Sequence, residues 1–351
     1  MQKVSFLQKF TACFVASFIL TAIFLVLGRS LPGIIPELVF GLAGLSLLFG
    51  LIYPFIWQRK EKKRPESSLI ELAFWQSVIR YGLAFNISIF GFKKIFGQQF
   101  IVPYFMYDEK LGSLSGEWLT WHYFGFSYPF GLIVASFQII GSILLLFRQT
   151  RLMGVMLLLP VMLNILFINL FYGLNAGATL QSILLSLGLV YLLLIDYQRL
   201  VAFFLQSKNH LPSLNWGGLG VKNSIRFLMI IVPFLITFNY YYQEDMPKNI
   251  RGTYTVEAPQ EAASGSKDPL LTKIYFDRYG NCTFLYVDAK KQDGKYTYNG
   301  ATNELKVVFN STEESKDTLL AKVTPLAQNN QLKIRGTIGS SQIDLNLSKL
   351  K

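Results

Sequence analysis

Long apolar runs fill the first two-thirds of the chain, and alternating apolar and polar positions fill the last third. The runs fall near residues 10–28, 35–57, 73–95, 129–147, 152–172, 178–196 and 225–242, each close to the ~20 residues a helix needs to cross a bilayer. They predict seven transmembrane helices. The last is the least regular, because Arg226 must snorkel at one end and Pro233 removes a backbone donor midway. From about residue 248 the period shortens to two, and strand-like segments appear at 252–257, 272–277, 282–288, 295–298, 305–310, 319–324, 332–338 and 342–347. Turn signals stand at 278–281, 292–294 and 299–300, and the Ala/Ser/Gly-rich stretch 258–268 reads as a flexible loop. The fold class is therefore membrane all-α followed by a C-terminal all-β domain. A small antiparallel barrel or meander is the economical way to remove exposed strand edges, with an open sandwich as the alternative.

Composition agrees with lipid as the main solvent: of 351 residues 52% are hydrophobic and only 15% charged. The net charge of +12 does not indicate nucleic acid, because the basic residues gather beside apolar runs rather than on one face of a folded domain. The run 58–64, Gln-Arg-Lys-Glu-Lys-Lys-Arg, is the strongest basic loop and belongs on the cytoplasmic side. That puts the N-terminus inside, the acidic 97–128 link outside, and the β domain on the extracytoplasmic side. Tyr240, Tyr241 and Tyr242 suit the outer interface. The first apolar run is nearly span length and lacks a small-residue cleavage site, so it reads as a retained helix rather than a signal peptide. Two cysteines, Cys13 and Cys282, and two histidines, His122 and His210, leave no basis for a disulfide framework or a metal or haem site within the chain. The organisation expected is two leading helices and a basic loop (1–72), a four-helix bundle (73–205), a loop and exit helix (206–242), and the β domain (243–351).

Residues 74–205 resemble the DoxX-like family of four-helix bacterial membrane proteins. The resemblance is carried by Arg80 followed by Gly91-Phe92-Lys93-Lys94, by 121–127 and 141–151, by Asn164, Asn169 and Tyr172, and by Asp196-Tyr197-Gln198-Arg199-Leu200. Some positions depart from it. Gln138 stands where relatives usually carry a glutamate, and Gly173, Asn175 and Gly177 stand where larger relatives carry an acid, a proline and a lysine. The resemblance implies a membrane scaffold, in part of the family a quinone-linked one, whereas the departures thin out the ionisable groups that redox or proton-relay roles require.

Four residues are candidates for contacts with a quinone or lipid: Arg80, Gln138, Asn164 and His122. Arg80 lies about two turns into its helix, where it can anchor an anionic group or instead snorkel or pair with Asp196. Gln138, Asn164 and Asn169 offer neutral hydrogen-bonding groups, as interhelical glue or as the lining of a polar cavity. Asn164 and Asn169 project about 140° apart on a helix and cannot share one narrow seam. Lys93 and Lys94 read as interface anchors. Glu117, Trp118, Trp121, His122 and Tyr123 form either an aromatic belt with a solvated His or a proton-handling site, and His210 falls in a cytoplasmic loop. The β domain contains no histidine and hence no Ser/His/Asp or Cys/His arrangement; Cys282 falls in a strand, where a thiol is usually buried. Two function classes follow. The first is a non-catalytic subunit or scaffold of an envelope complex, with lipid or partner contacts in the bundle and a docking β domain. The second is the membrane subunit of a quinone-linked oxidoreductase of the thiosulfate or thiol oxidation type, with quinone as its cofactor. A transporter is disfavoured by the lack of an inverted repeat and of an acidic residue in the bundle core.

Overall fold

The computed structural model describes residues 3–31, 33–206, 218–244, 250–257, 271–310, 318–325, 331–339 and 341–350. His210 and the stretch 258–268 lie outside them. The chain forms two compact units, Met1–His210 and Leu211–Lys351.

The first unit contains α1 (Phe6–Ser30), α2 (Pro36–Glu61), α3 (Ser67–Ile95), α4 (Gly116–Phe126), α5 (Tyr128–Leu146), α6 (Arg151–Phe171), α7 (Ala176–Ile195) and α8 (Tyr197–Leu205). Local chemistry sets several of the starts. Ser5 and Gln8 form a capping box at α1, Ser127 caps α5 ahead of Pro129, and Asn175 caps α7 by accepting from the Ala178 N–H at 2.9 Å. Helices α1, α2, α5, α6 and α7 are long and apolar enough to cross a membrane, as is α9 of the second unit. The expected span at 73–95 is also helical, and at 29 residues α3 is the longest. It is not apolar enough to join those six, because Gln76, Arg80, Asn86, Lys93 and Lys94 interrupt it.

Helices α3, α5, α6 and α7 close a ring, each packed on the next and α7 returning to α3. Of the two leading helices, α1 packs on both α3 and α7 and carries α2 on its other side. The reason is a face of small residues. Ala12, Cys13, Ala16 and Ala22 are buried together with Ile19, and a Cβ on Gly82 of α3 or Gly188 of α7 would come within 2.4 or 2.7 Å of the Ile19 side chain. Small residues allow the close approach that drives helix association in lipid. At one end of the unit the fully buried Lys9 pairs with Glu61, lies 6.0 Å from the Trp57 ring centroid, and Trp57 donates to Ser68 at 3.1 Å. Asp196 pairs with Arg151 at 2.7 Å and Arg199 at 3.5 Å, so it is not the partner of Arg80. The outside is apolar: Leu45, Leu48, Ile52 and Phe55 of α2 are each more than half exposed. A helical surface of this kind belongs in membrane lipid.

The second unit contains α9 (Leu219–Glu244) and eight strands: β1 (Gly252–Glu257), β2 (Leu271–Phe276), β3 (Asn281–Tyr286), β4 (Lys291–Asn299), β5 (Glu304–Phe309), β6 (Thr318–Pro325), β7 (Gln331–Ile338) and β8 (Ser341–Lys349). Each pairs antiparallel with the next, and β8 returns to β1 through Val256 opposite Leu347, so the sheet is a closed barrel. Its interior is filled by alternate residues including Tyr254, Ile274, Phe276, Phe284, Val307, Phe309, Leu319 and Leu347. The turn expected at 278–281 is present, with Tyr279 and Gly280 at positive φ. The turn expected at 292–294 is not: those residues lie inside β4, and the chain reverses just before it, where Ala289 takes φ 61°. Gly294 is there for close approach, since a Cβ would meet the Val308 carbonyl oxygen at 2.8 Å.

Candidate functional site

One end of the helical unit holds a cavity of about 900 Å³ that is open on one side. It lies among the C-terminal part of α3, the first half of α5, the second half of α6 and the first half of α7, with α4 and the 99–100 segment also contributing. Most of the wall is apolar. Phe100 stacks on Phe124 with centroids 4.8 Å apart and meets Trp121 edge-on at 5.4 Å, giving one side an aromatic lining. Pro160 interrupts the α6 backbone ladder within the wall.

The polar groups are few and specifically placed. Lys94 is buried, and its Nζ donates to Gln138 Oε1 at 3.0 Å, to Gln99 Oε1 at 3.0 Å and to the Phe90 carbonyl at 3.4 Å, 5.7 Å from the Phe100 centroid. Gln138 is fully buried, and its Nε2 has no hydrogen-bond partner among the described residues. Asn169 Nδ2 donates to the Ala178 carbonyl at 3.1 Å and to Ser182 Oγ at 3.0 Å. Gln181 Nε2 donates to Asn86 Oδ1 at 2.9 Å and to the Ala22 carbonyl at 3.0 Å, tying α7 to α3 and α1. A second cation comes from α1: Arg29 lines the cavity, and a Cβ on Gly177 would lie 1.8 Å from its Nη2. The guanidinium thus fills the place of any side chain at 177.

Of the four residues singled out from sequence, Gln138 and Asn164 meet in this cavity, whereas Arg80 and His122 are not part of its lining. Arg80 is buried elsewhere on α3, donates to the Tyr81 hydroxyl at 3.2 Å and lies over that ring, and its Nε has no partner among the described residues. His122 sits on α4 edge-on to Tyr107 at 5.4 Å, half-buried, with Nε2 shielded from solvent and unpaired among the described residues. Asn164 and Asn169 both line the cavity despite their angular separation, because the space is wide rather than a seam.

Lys94 is not an interface anchor. The signal for its burial is in the sequence: Ile79, Leu83, Ile87 and Lys94 continue one buried stripe at spacings of four, four and seven. Arg29 and Gln181 carried no such signal, since their roles arise from the packing of α1 on α7.

No family model matches the chain, and no solved structure matches it. Over 132 residues, 37% of this chain and 82% of the relative, it is 27% identical to the uncharacterized protein YwoB of Bacillus subtilis (strain 168).

Proposed function

We propose that this is a non-catalytic membrane protein whose helical unit holds a lipid-like molecule and whose β-barrel docks a partner, as a subunit or scaffold of a bacterial envelope complex. The observation that carries the reading is the cavity: it is large, mainly apolar, and furnished with a few convergent polar groups, the character of a ligand site. Its volume suits a lipid head with the start of its chains. The basic 58–64 loop, at the end of the helical unit opposite the cavity, supports a cytoplasmic location for its own end, and hence an inner-membrane protein with the barrel in the periplasm. Purification from native membranes in mild detergent, followed by mass spectrometry of the intact assembly, tests this. One bound lipid-like molecule per chain, displaced by the cavity-filling Val161→Trp, is expected alongside a stoichiometric protein partner. A solitary chain with turnover of its own would refute it.

A quinone-linked subunit is the second reading, favoured by one detail. Lys94 Nζ and the unpaired Gln138 Nε2 are both donors, beside aromatic rings on which a quinone could stack. Quinone that co-purifies with the wild type and is lost in Gln138→Ala would support it.

A further inference from the structure

The charge of the cavity narrows what it can hold. Two of its lining side chains, Lys94 and Arg29, are cationic, and none is acidic. Lys94 is 7% exposed, and its partners are two side-chain amides and a backbone carbonyl, all neutral. No carboxylate lies within ion-pair distance of Lys94 or Arg29 among the described residues. Of the other two buried basic side chains of the unit, Lys9 has Glu61, whereas Arg80 has no carboxylate among the described residues and does not line the cavity; Arg29 is exposed, so the uncompensated buried charge of the cavity is that of Lys94. A buried ammonium without a counter-charge is expensive, by several kcal/mol after relaxation, and an anion entering the cavity would relieve that cost.

Two further features point the same way. Gln138 Nε2 is a fully buried donor with no acceptor among the described residues, directly beside the Lys94 contact. The α7 N-terminus, whose dipole favours negative charge, also reaches the cavity at Ala178, where it adds field rather than a free donor, since the Ala178 N–H is taken by Asn175 Oδ1. Around these donors the walls are apolar and aromatic, which suits acyl chains and not a free inorganic ion.

We propose that the cavity binds an anionic lipid, its phosphate or carboxylate oxygens held by Lys94, Arg29 and the Gln138 amide and its chains against the apolar walls. This rests on the lipid-binding reading above and adds the sign of the head group. Among membrane amphiphiles it favours a singly or doubly charged anionic lipid over a zwitterionic lipid or a neutral quinone. It also explains the glutamine: a carboxylate at 138 would balance Lys94 internally and remove the demand for a ligand.

The test uses the full chain, delipidated in a neutral detergent and followed by native mass spectrometry. Phosphatidylglycerol and phosphatidylcholine with the same chains are the probes, with inorganic phosphate and a menaquinone as competitors. One phosphatidylglycerol per chain is expected, bound at least about tenfold more tightly than phosphatidylcholine. Lys94→Gln should lose most of that preference and Lys94→Arg should keep it. Gln138→Glu should lose it while melting no lower than wild type, which separates loss of the site from loss of the fold. Equal binding of the two lipids, both blocked by Val161→Trp, would overturn the anionic assignment and leave the lipid-binding reading standing. Failure of both lipids to bind would overturn both. Inorganic phosphate binding as tightly as phosphatidylglycerol would overturn the lipid as the source of the anion. Menaquinone displacing phosphatidylglycerol from wild type and from Lys94→Gln alike would overturn the proposal in favour of the quinone reading.

Discussion

A glutamine at position 138 accepts a hydrogen bond from Lys94 at 3.0 Å, and an amide carries no charge with which to balance an ammonium. Single residues of this sort decide the character of each unit. In the barrel the corresponding residue is Cys282, which is 1% exposed; burial pushes its thiol up to about 12, with Asp293 and Asp277 adding to the rise. In the unfolded chain the same thiol ionises near ~8.5. Above that pH the unfolded state therefore binds fewer protons than the folded one, and the stability of the barrel falls as pH rises. Unfolding by urea between pH 8 and 9.5, below the tyrosine range, should show this decline in the wild type and a flatter profile in Cys282→Ala. A maleimide should reach Cys282 only when the barrel opens. The thiol's burial was legible in advance, because it stands in an alternating strand. The cation at Arg29 was not, because nothing near residue 29 in sequence announces that α7 offers Gly177 as the space for its guanidinium.

At the scale of elements, the long helices and the strands follow from their periods, and the departures have local causes. Gly294 looked like a turn because glycine favours turns, yet in β4 it admits the Val308 carbonyl. Gly336 in β7 is a stricter case. A Cβ there would lie 2.1 Å from the Leu320 carbonyl oxygen and 2.5 Å from the Ala321 Cα, both backbone atoms of β6 that cannot rotate away. Gly336→Ala should cost on the order of 1–3 kcal/mol, as overpacking does, read as a lowered melting temperature of the barrel. Helix α8 escaped notice for a different reason: it is only nine residues long and too short for a span. It places Phe203, Phe204 and Leu205 outward, each more than half exposed. A short helix with such a face suits the membrane interface.

For the whole molecule, the two-part architecture was plain from the change of period near residue 248, whereas the division of the helical part was not. The four-helix ring is real, but α1 is packed into its α3 and α7 side, so the leading helices and the bundle form one unit. Hydropathy marks which segments are apolar, and it cannot tell which apolar face meets which. The barrel closes on itself between β1 and β8 and fills its own interior. Residues 248–351 expressed without the helices should therefore fold alone, giving a β-type far-ultraviolet spectrum and one cooperative unfolding transition; a disordered fragment would show that the helices are needed.

The packing of α1 also sets a clock for biosynthesis. The Ala22 carbonyl receives its bond from Gln181, 159 residues further along. At ~5–20 residues per second of translation, α1 waits on the order of ten to thirty seconds for the helix that covers it. During that interval its alanine face and the Ala22 acceptor must be shielded by α2, by lipid or by the insertion machinery. Conditions that slow elongation between α1 and α7 should lengthen the period in which this chain is open to proteolysis.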